Sequence, residues 1–173
     1  MHIAILGPLK PNPHDPEFFD SEPLPIPLFD GEKVPITLIG LHETDRTDAE
    51  EALSSFLKLG RHDRLTISPY VFANYQLTAK FAAEQNFELD CTIASHEDVW
   101  QHVRPSGISV FRRDRRDCAI YVVVGANCDW EVEHGLQIVY RHGSELVRVS
   151  QQDGHLTHTD AYDLPEEQDT IVD

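Results

Sequence analysis

Apolar residues at Ala49, Ala52, Leu53, Phe56 and Leu57 recur at i, i+3, i+4, i+7 and i+8, laying one stripe along a helix. Thr47-Asp48-Ala49-Glu50 has capping-box spacing at its start, and Gly60 is placed as its C-terminal stop. A second helix is expected from Ser68-Pro69, serine capping and proline at the first helical position. It runs through Val71, Phe72, Tyr75 and Ala79 towards Glu84. A shorter helix from Ser95 or His96 to Val103 carries Val99 and Trp100 and is closed off by Pro105.

Elsewhere the period is that of strands. Val34–Leu41 reads as the first full strand. Ser106–Arg112 and Asp117–Val124 flank the polar turn Arg113-Asp114-Arg115-Arg116, and Ala119–Val124 has the β-branched density of a central strand. Leu136–Tyr140 and Leu146–Ser150 form a hairpin in which Gly143 supplies a positive φ. Asp153-Gly154 offers one more turn, and His155–Thr159 an edge strand. The pattern predicts an α+β fold, with N-terminal helices packed on a C-terminal antiparallel meander of about five strands.

Proline changes the picture at the start. Eight of the eleven prolines lie between Pro8 and Pro35, so Pro8–Pro27 is expected to be neither helix nor central strand, but an extended, partly polyproline segment on the domain surface. From Asp160 onward the chain is acidic and poor in apolar residues, which predicts a flexible tail. The expected division is 1–33 proline-rich, 34–159 a single domain and 160–173 tail.

Charge is uneven as well. The formal net charge is −16. Residues 1–60 carry 4 basic and 11 acidic groups, 61–126 carry 8 of each, and 127–173 carry 2 and 11. Such a field repels phosphates and anionic lipid, so no nucleic-acid or membrane partner is expected. The basic run Arg112–Arg116, interrupted by Asp114, reads as a solvated hairpin tip. The first apolar residues are too few for a signal peptide and no stretch approaches a membrane span, which predicts a cytoplasmic protein. Cys91, Cys118 and Cys128 have no paired spacing and read as reduced thiols.

The densest chemistry is Cys128-Asp129-Trp130-Glu131-Val132-Glu133-His134-Gly135. Were it extended, Asp129, Glu131 and Glu133 would share one face, with Trp130, Val132 and His134 on the other. Two readings follow. The cluster is a binding patch in which Asp129, Glu131, Glu133 and His134 meet a partner and Trp130 plugs the core or anchors the interface. Alternatively, the carboxylates with His134 hold a divalent cation, for structure or for hydrolysis. No nucleophile elbow, cysteine-protease signature or phosphate loop is present, so the chain is read as non-enzymatic, with no cofactor implied.

Trp100-x-x-Val103 with Pro105, the strand Ile120–Val124, the run Cys128-Asp129-Trp130-Glu131-x-Glu133-His134-Gly135-Leu136-Gln137-Ile138-Val139, and Val149-Ser150-x-x-Asp153-Gly154-His155 together resemble a bacterial domain of unknown function. The resemblance covers roughly residues 95–158. It implies a small cytoplasmic protein and, for members encoded beside secreted polymorphic toxins, an immunity role. It carries no catalytic residue set. The expectation is a protein that neutralises a cognate toxin by direct contact between its own acidic surface and a basic one.

Overall fold

The computed structural model describes residues 2–13 and 15–172. Among the described residues, nine strands form two sheets. β1 (Lys10–Pro11), β2 (Phe18–Asp20), β5 (Ile36–Ile39), β6 (Val103–Arg112), β7 (Ile120–Cys128), β8 (Glu131–Arg141) and β9 (Glu145–Gln151) lie in that order in one sheet. β3 (Leu24–Ile26) and β4 (Glu32–Val34) form a separate hairpin. The helices are α1 (Arg46–Phe56), α2 (Arg61–Glu84) and the short α3 (His158–Tyr162).

The α+β class stands, but the expected layout does not. The main sheet has seven strands, and three of them come from the N-terminal part of the chain. β5 pairs with β6 in parallel, Ile36 opposite Ile108 and Leu38 opposite Val110. A parallel pair needs a long crossover, and α1 and α2 supply it. The two long helices are therefore an insertion between strands, not an N-terminal layer. Only β6 to β9 form the antiparallel meander.

Local departures have local causes. Val34–Leu41 divides at Pro35 between β4 of the small hairpin and β5 of the large sheet. Proline cannot donate to a ladder, and its own carbonyl instead accepts from Ile108 N–H at 3.0 Å. Helix α1 starts before Thr47: Asp45 Oδ2 accepts the His42 N–H at 2.8 Å in a turn that leads into the helix. Its stripe is as expected, with Ala49, Ala52, Leu53 and Phe56 buried. Gly60 does not end a helix with positive φ; it is the N-cap of α2, its N–H bonded to Asp63 Oδ2 at 2.8 Å. Consequently α2 begins eight residues before Pro69, which sits inside it and removes one bond of the helical ladder. The expected helix before Val103 is a 3₁₀ turn, Val99–His102. His155–Thr159 is not an edge strand. Thr157 Oγ1 accepts the Asp160 N–H at 3.1 Å and starts α3.

The proline-rich segment enters the main sheet as β1 and β2 at its edge, while Pro27 opens a 3₁₀ turn. At the other end, Val149 N–H donates to Ile171 O at 2.6 Å and Val172 bridges Val149 in parallel, so residues 171–172 lie along β9.

The sheet has two unlike faces. α1 and α2 cover one, burying Ile108, Val110, Val122, Val124, Ile138, Tyr140 and Val149 against Leu53, Phe56, Ile67 and Val71. The opposite face carries a smaller cluster, Ala119, Tyr121, Val139 and Leu156, closed over by the segment after β9. Gly143 shows how close the first packing is. Its φ is +78°, as the hairpin requires, and a Cβ there would collide with the Ala52 carbonyl oxygen of α1.

Candidate functional site

Cys128 pairs with Glu131, so Asp129 and Trp130 are the two residues of a tight β7–β8 turn. The alternation that put three carboxylates on one face needed an extended chain, and the turn breaks it. Ala126 pairs with Leu136, leaving residues 132–135 bulged outward opposite Asn127 alone. Gly135 makes the bulge possible: its φ is +71° and a Cβ would lie 2.5 Å from the Ala126 carbonyl oxygen.

The turn gives Asp129 and Trp130 surroundings of their own, while Glu131 stays with His134, whose Nδ1 lies 3.5 Å from its Oε1. Asp129 accepts from Arg104 Nη1 at 2.6 Å and lies 2.9 Å from His102 Nδ1. Arg104, with His102 behind it, holds this carboxyl below the usual aspartate range. Trp130 is buried; its Nε1–H donates to Asn74 Oδ1 of α2 at 3.0 Å and its ring meets Tyr75 edge-on at 6.0 Å. Trp130 therefore ties the turn to α2 as a core plug. Glu131 Oε1 accepts the backbone N–H groups of Glu133 (3.2 Å) and His134 (3.1 Å), which fixes its carboxylate at the foot of the bulge. Glu133 and His134 are exposed, and Val132 is 87% exposed. Burial pushes the neighbouring Cys128 thiol up to about 12, so it is a neutral core group. Among the described residues, no group of three or more His, Cys, Asp or Glu side chains is arranged to hold a metal ion.

Glu131 lines a cavity. A groove of about 490 Å³ lies at the β9 edge of the sheet, walled by Asn74, Leu77, Thr78 and Phe81 of α2, Glu131, Arg148, Ser150 and Gln151 of the strands, Asp153, and Tyr162 of α3. Trp130 stands behind it, through its bond to Asn74. Sequence reasoning missed Leu77, Phe81 and Tyr162. The signal was present: Tyr70, Leu77 and Phe81 are spaced i, i+7 and i+11, a second apolar stripe beside the buried one of Ile67, Val71 and Tyr75. Phe81 is 64% exposed and Tyr162 59%.

The polar side of the groove is built by an ion pair whose arginine is buried and whose aspartate is partly open to water. Arg148, 1% exposed, donates from Nη1 and Nη2 to the two oxygens of Asp153 (2.8 and 2.7 Å) and from Nη1 to His155 O (2.9 Å). Burial alone would raise Asp153, but Arg148 and the His155 N–H pull it below the ordinary value. Gln137 Nε2 reaches the same acceptors and Ser150 Oγ at 3.0 Å. Since Arg148 and Asp153 offset one another, the Glu131 carboxylate sets the sign of the groove. Among the described residues no helix is long and apolar enough to cross a membrane.

The arginine run is exposed at Asp114 and Arg115 but is not a solvated tip throughout. Arg113 is buried and donates to Tyr121 Oη (3.3 Å), Thr157 Oγ1 (3.3 Å) and Asp160 Oδ1 (2.7 Å). Arg116, with φ at +66°, bonds Thr159 Oγ1 and Leu164 O. Arg112 bridges Asp45 and Asp48 across to α1. The run therefore fastens two other parts of the chain to the meander, and Arg113 and Arg116 position the segment that delivers Tyr162.

No curated protein and no solved structure matches this chain. A family model described as a domain of unknown function matches residues 5–156, taking in the proline-rich start that the motif resemblance left out, and the chain belongs to that family, DUF6985.

Proposed function

We propose that this domain is a binding protein that captures a basic protein partner along the β9-edge groove and acts by contact, not by catalysis. The supporting observation is the groove: Leu77, Phe81 and Tyr162 stand open to water around the fixed Glu131 carboxylate, in a chain of net charge −16. Covering one such side chain contributes about 1.5–3 kcal/mol, and the acidic field speeds the approach of a basic surface. Val132 and Glu133 on the bulge extend the same surface beyond the groove. In its most specific form the partner is a toxin, and the chain is its immunity protein in the cytoplasm, as the resemblance in residues 95–158 implies.

Co-expression with the product of the adjacent reading frame tests this reading. The expected result is rescue of growth by the wild-type chain and loss of rescue with Leu77→Asp or Phe81→Asp. A neighbour that is harmless alone, or lethal in the presence of the wild-type chain, overturns the toxin reading. Rescue undiminished by both substitutions overturns the groove as binding face.

A further inference from the structure

The groove has a composition that selects its occupant. Its walls are flat or apolar at Phe81, Leu77 and Tyr162, and its carboxylate, Glu131, is held still through Oε1 by two backbone N–H groups, with His134 Nδ1 3.5 Å from the same oxygen, so that Oε2 is the oxygen turned to an incoming donor. The buried Arg148 does not make it an anion site, because both Asp153 oxygens and the His155 carbonyl already take its donors. What the groove lacks is a cation with an apolar stem. Resting on the binding reading above, we propose that it receives an arginine side chain of the partner, whose guanidinium stacks on Phe81 and Tyr162 and pairs with Glu131. Arginine fits better than lysine: its planar, weakly hydrated head lies on aromatic faces and forks onto a carboxylate, whereas an ammonium holds its water. The side walls come from two elements, α2 and α3, and Arg113 and Arg116 hold the second in place through Asp160, Thr159 and Leu164. The occupant is thus set by chain segments far apart in sequence.

The test uses the full chain, isotope-labelled and titrated with end-blocked Gly-Gly-Arg-Gly-Gly and its citrulline and lysine counterparts. Citrulline keeps the shape of arginine and removes the charge. The arginine peptide is expected to give saturable shifts at Leu77, Phe81, Glu131 and Tyr162, and to bind about tenfold tighter than the citrulline peptide. Glu131→Gln and Phe81→Ala are each expected to weaken it about tenfold; Phe81 is exposed, so its variant keeps the fold if Glu131→Gln does not. Equal affinity for arginine and citrulline, shifts lying outside the groove, or no saturable shift overturns the proposal, and equal affinity for lysine overturns the choice of arginine. Failure here and failure of the binding reading are distinguishable. A neighbour whose contact covers the groove, on a chain that does not distinguish the arginine from the citrulline peptide, removes only the arginine assignment. Arginine binding in the groove beside a neighbour that stays lethal removes only the toxin reading.

Discussion

The two faces of the seven-stranded sheet solve the same covering problem with different chemistry. On the helical face, Val122, Ile138 and Tyr140 meet Leu53 and Phe56, and Phe56 packs edge-on against Tyr140 at 5.6 Å. The contact is apolar throughout and non-directional. On the other face a short segment, residues 153–168, lays Leu156 over Ala119, Tyr121 and Val139 and is held by Arg113, Arg116, Arg148 and Gln137. Here a few directed bonds replace an apolar layer, and each loses value when one partner is removed. The lesson concerns function: the groove opens at the edge where these coverings meet, one wall on the rigid helix α2, the other on the ionically held segment.

The comparison can be broken at several points. Phe56→Ala should cost about 4 kcal/mol in denaturant unfolding, because it leaves a cavity in the tighter face. Arg148→Met should cost about 3 kcal/mol, since Asp153 keeps a charge without its partner, whereas Arg148→Met with Asp153→Leu should recover most of that loss. If the double variant is no more stable than the single one, the outer face is not held by ionic pairing. Tyr140→Phe should stabilise by about 1 kcal/mol, because the buried Tyr140 hydroxyl has no hydrogen-bond partner among the described residues. Leu77→Asp and Phe81→Asp should leave stability within about 0.5 kcal/mol while abolishing partner binding.

Acid should separate the faces as well. Asp117 and Asp153 are both held below the ordinary 3.8, against the effect of burial: Asp117 by the Ala119 N–H, the Tyr121 hydroxyl and Arg113, Asp153 by Arg148. Their stabilisation is full above the unfolded value of 3.8 and is lost as pH falls through the lower folded values. Hydrogen exchange below pH 3.8 is therefore expected to quicken at Leu156 and Thr159 before Val122 and Ile138. Simultaneous loss of protection would show that the two coverings are one cooperative unit.

Much of the meander was legible because its side chains are periodic. Ile120–Val124 falls within β7, Leu136–Tyr140 within β8 and Leu146–Ser150 within β9, with Gly143 in the turn between the last two. The α1 stripe was legible for the same reason. What periodicity could not show was pairing across long gaps: β5 on β6 in parallel, or β1 and β2 at the far edge. It misled where one residue type serves two ends. Gly60 suits a helix stop and an N-cap equally, and Pro69 suits a first helical position although it lies inside α2. At the site, the extended geometry expected for Asp129–His134 does not hold, because Asp129 and Trp130 are themselves the two-residue turn that precedes Glu131. Arg113 looked like a surface charge because its partner, Asp160, lies far along the chain, on a segment whose path sequence alone does not give.

The most direct measurement is the hydrogen-exchange footprint of the rescued neighbour on this chain. Protection at the α2 residues 77–81, at Glu131 and at the α3 residue Tyr162, with the exposed β6–β7 turn at Arg115 unchanged, is the result expected. Protection confined to Asp129, Arg104 or the β6–β7 turn, with Leu77 and Phe81 exchanging as in the free chain, would contradict the account.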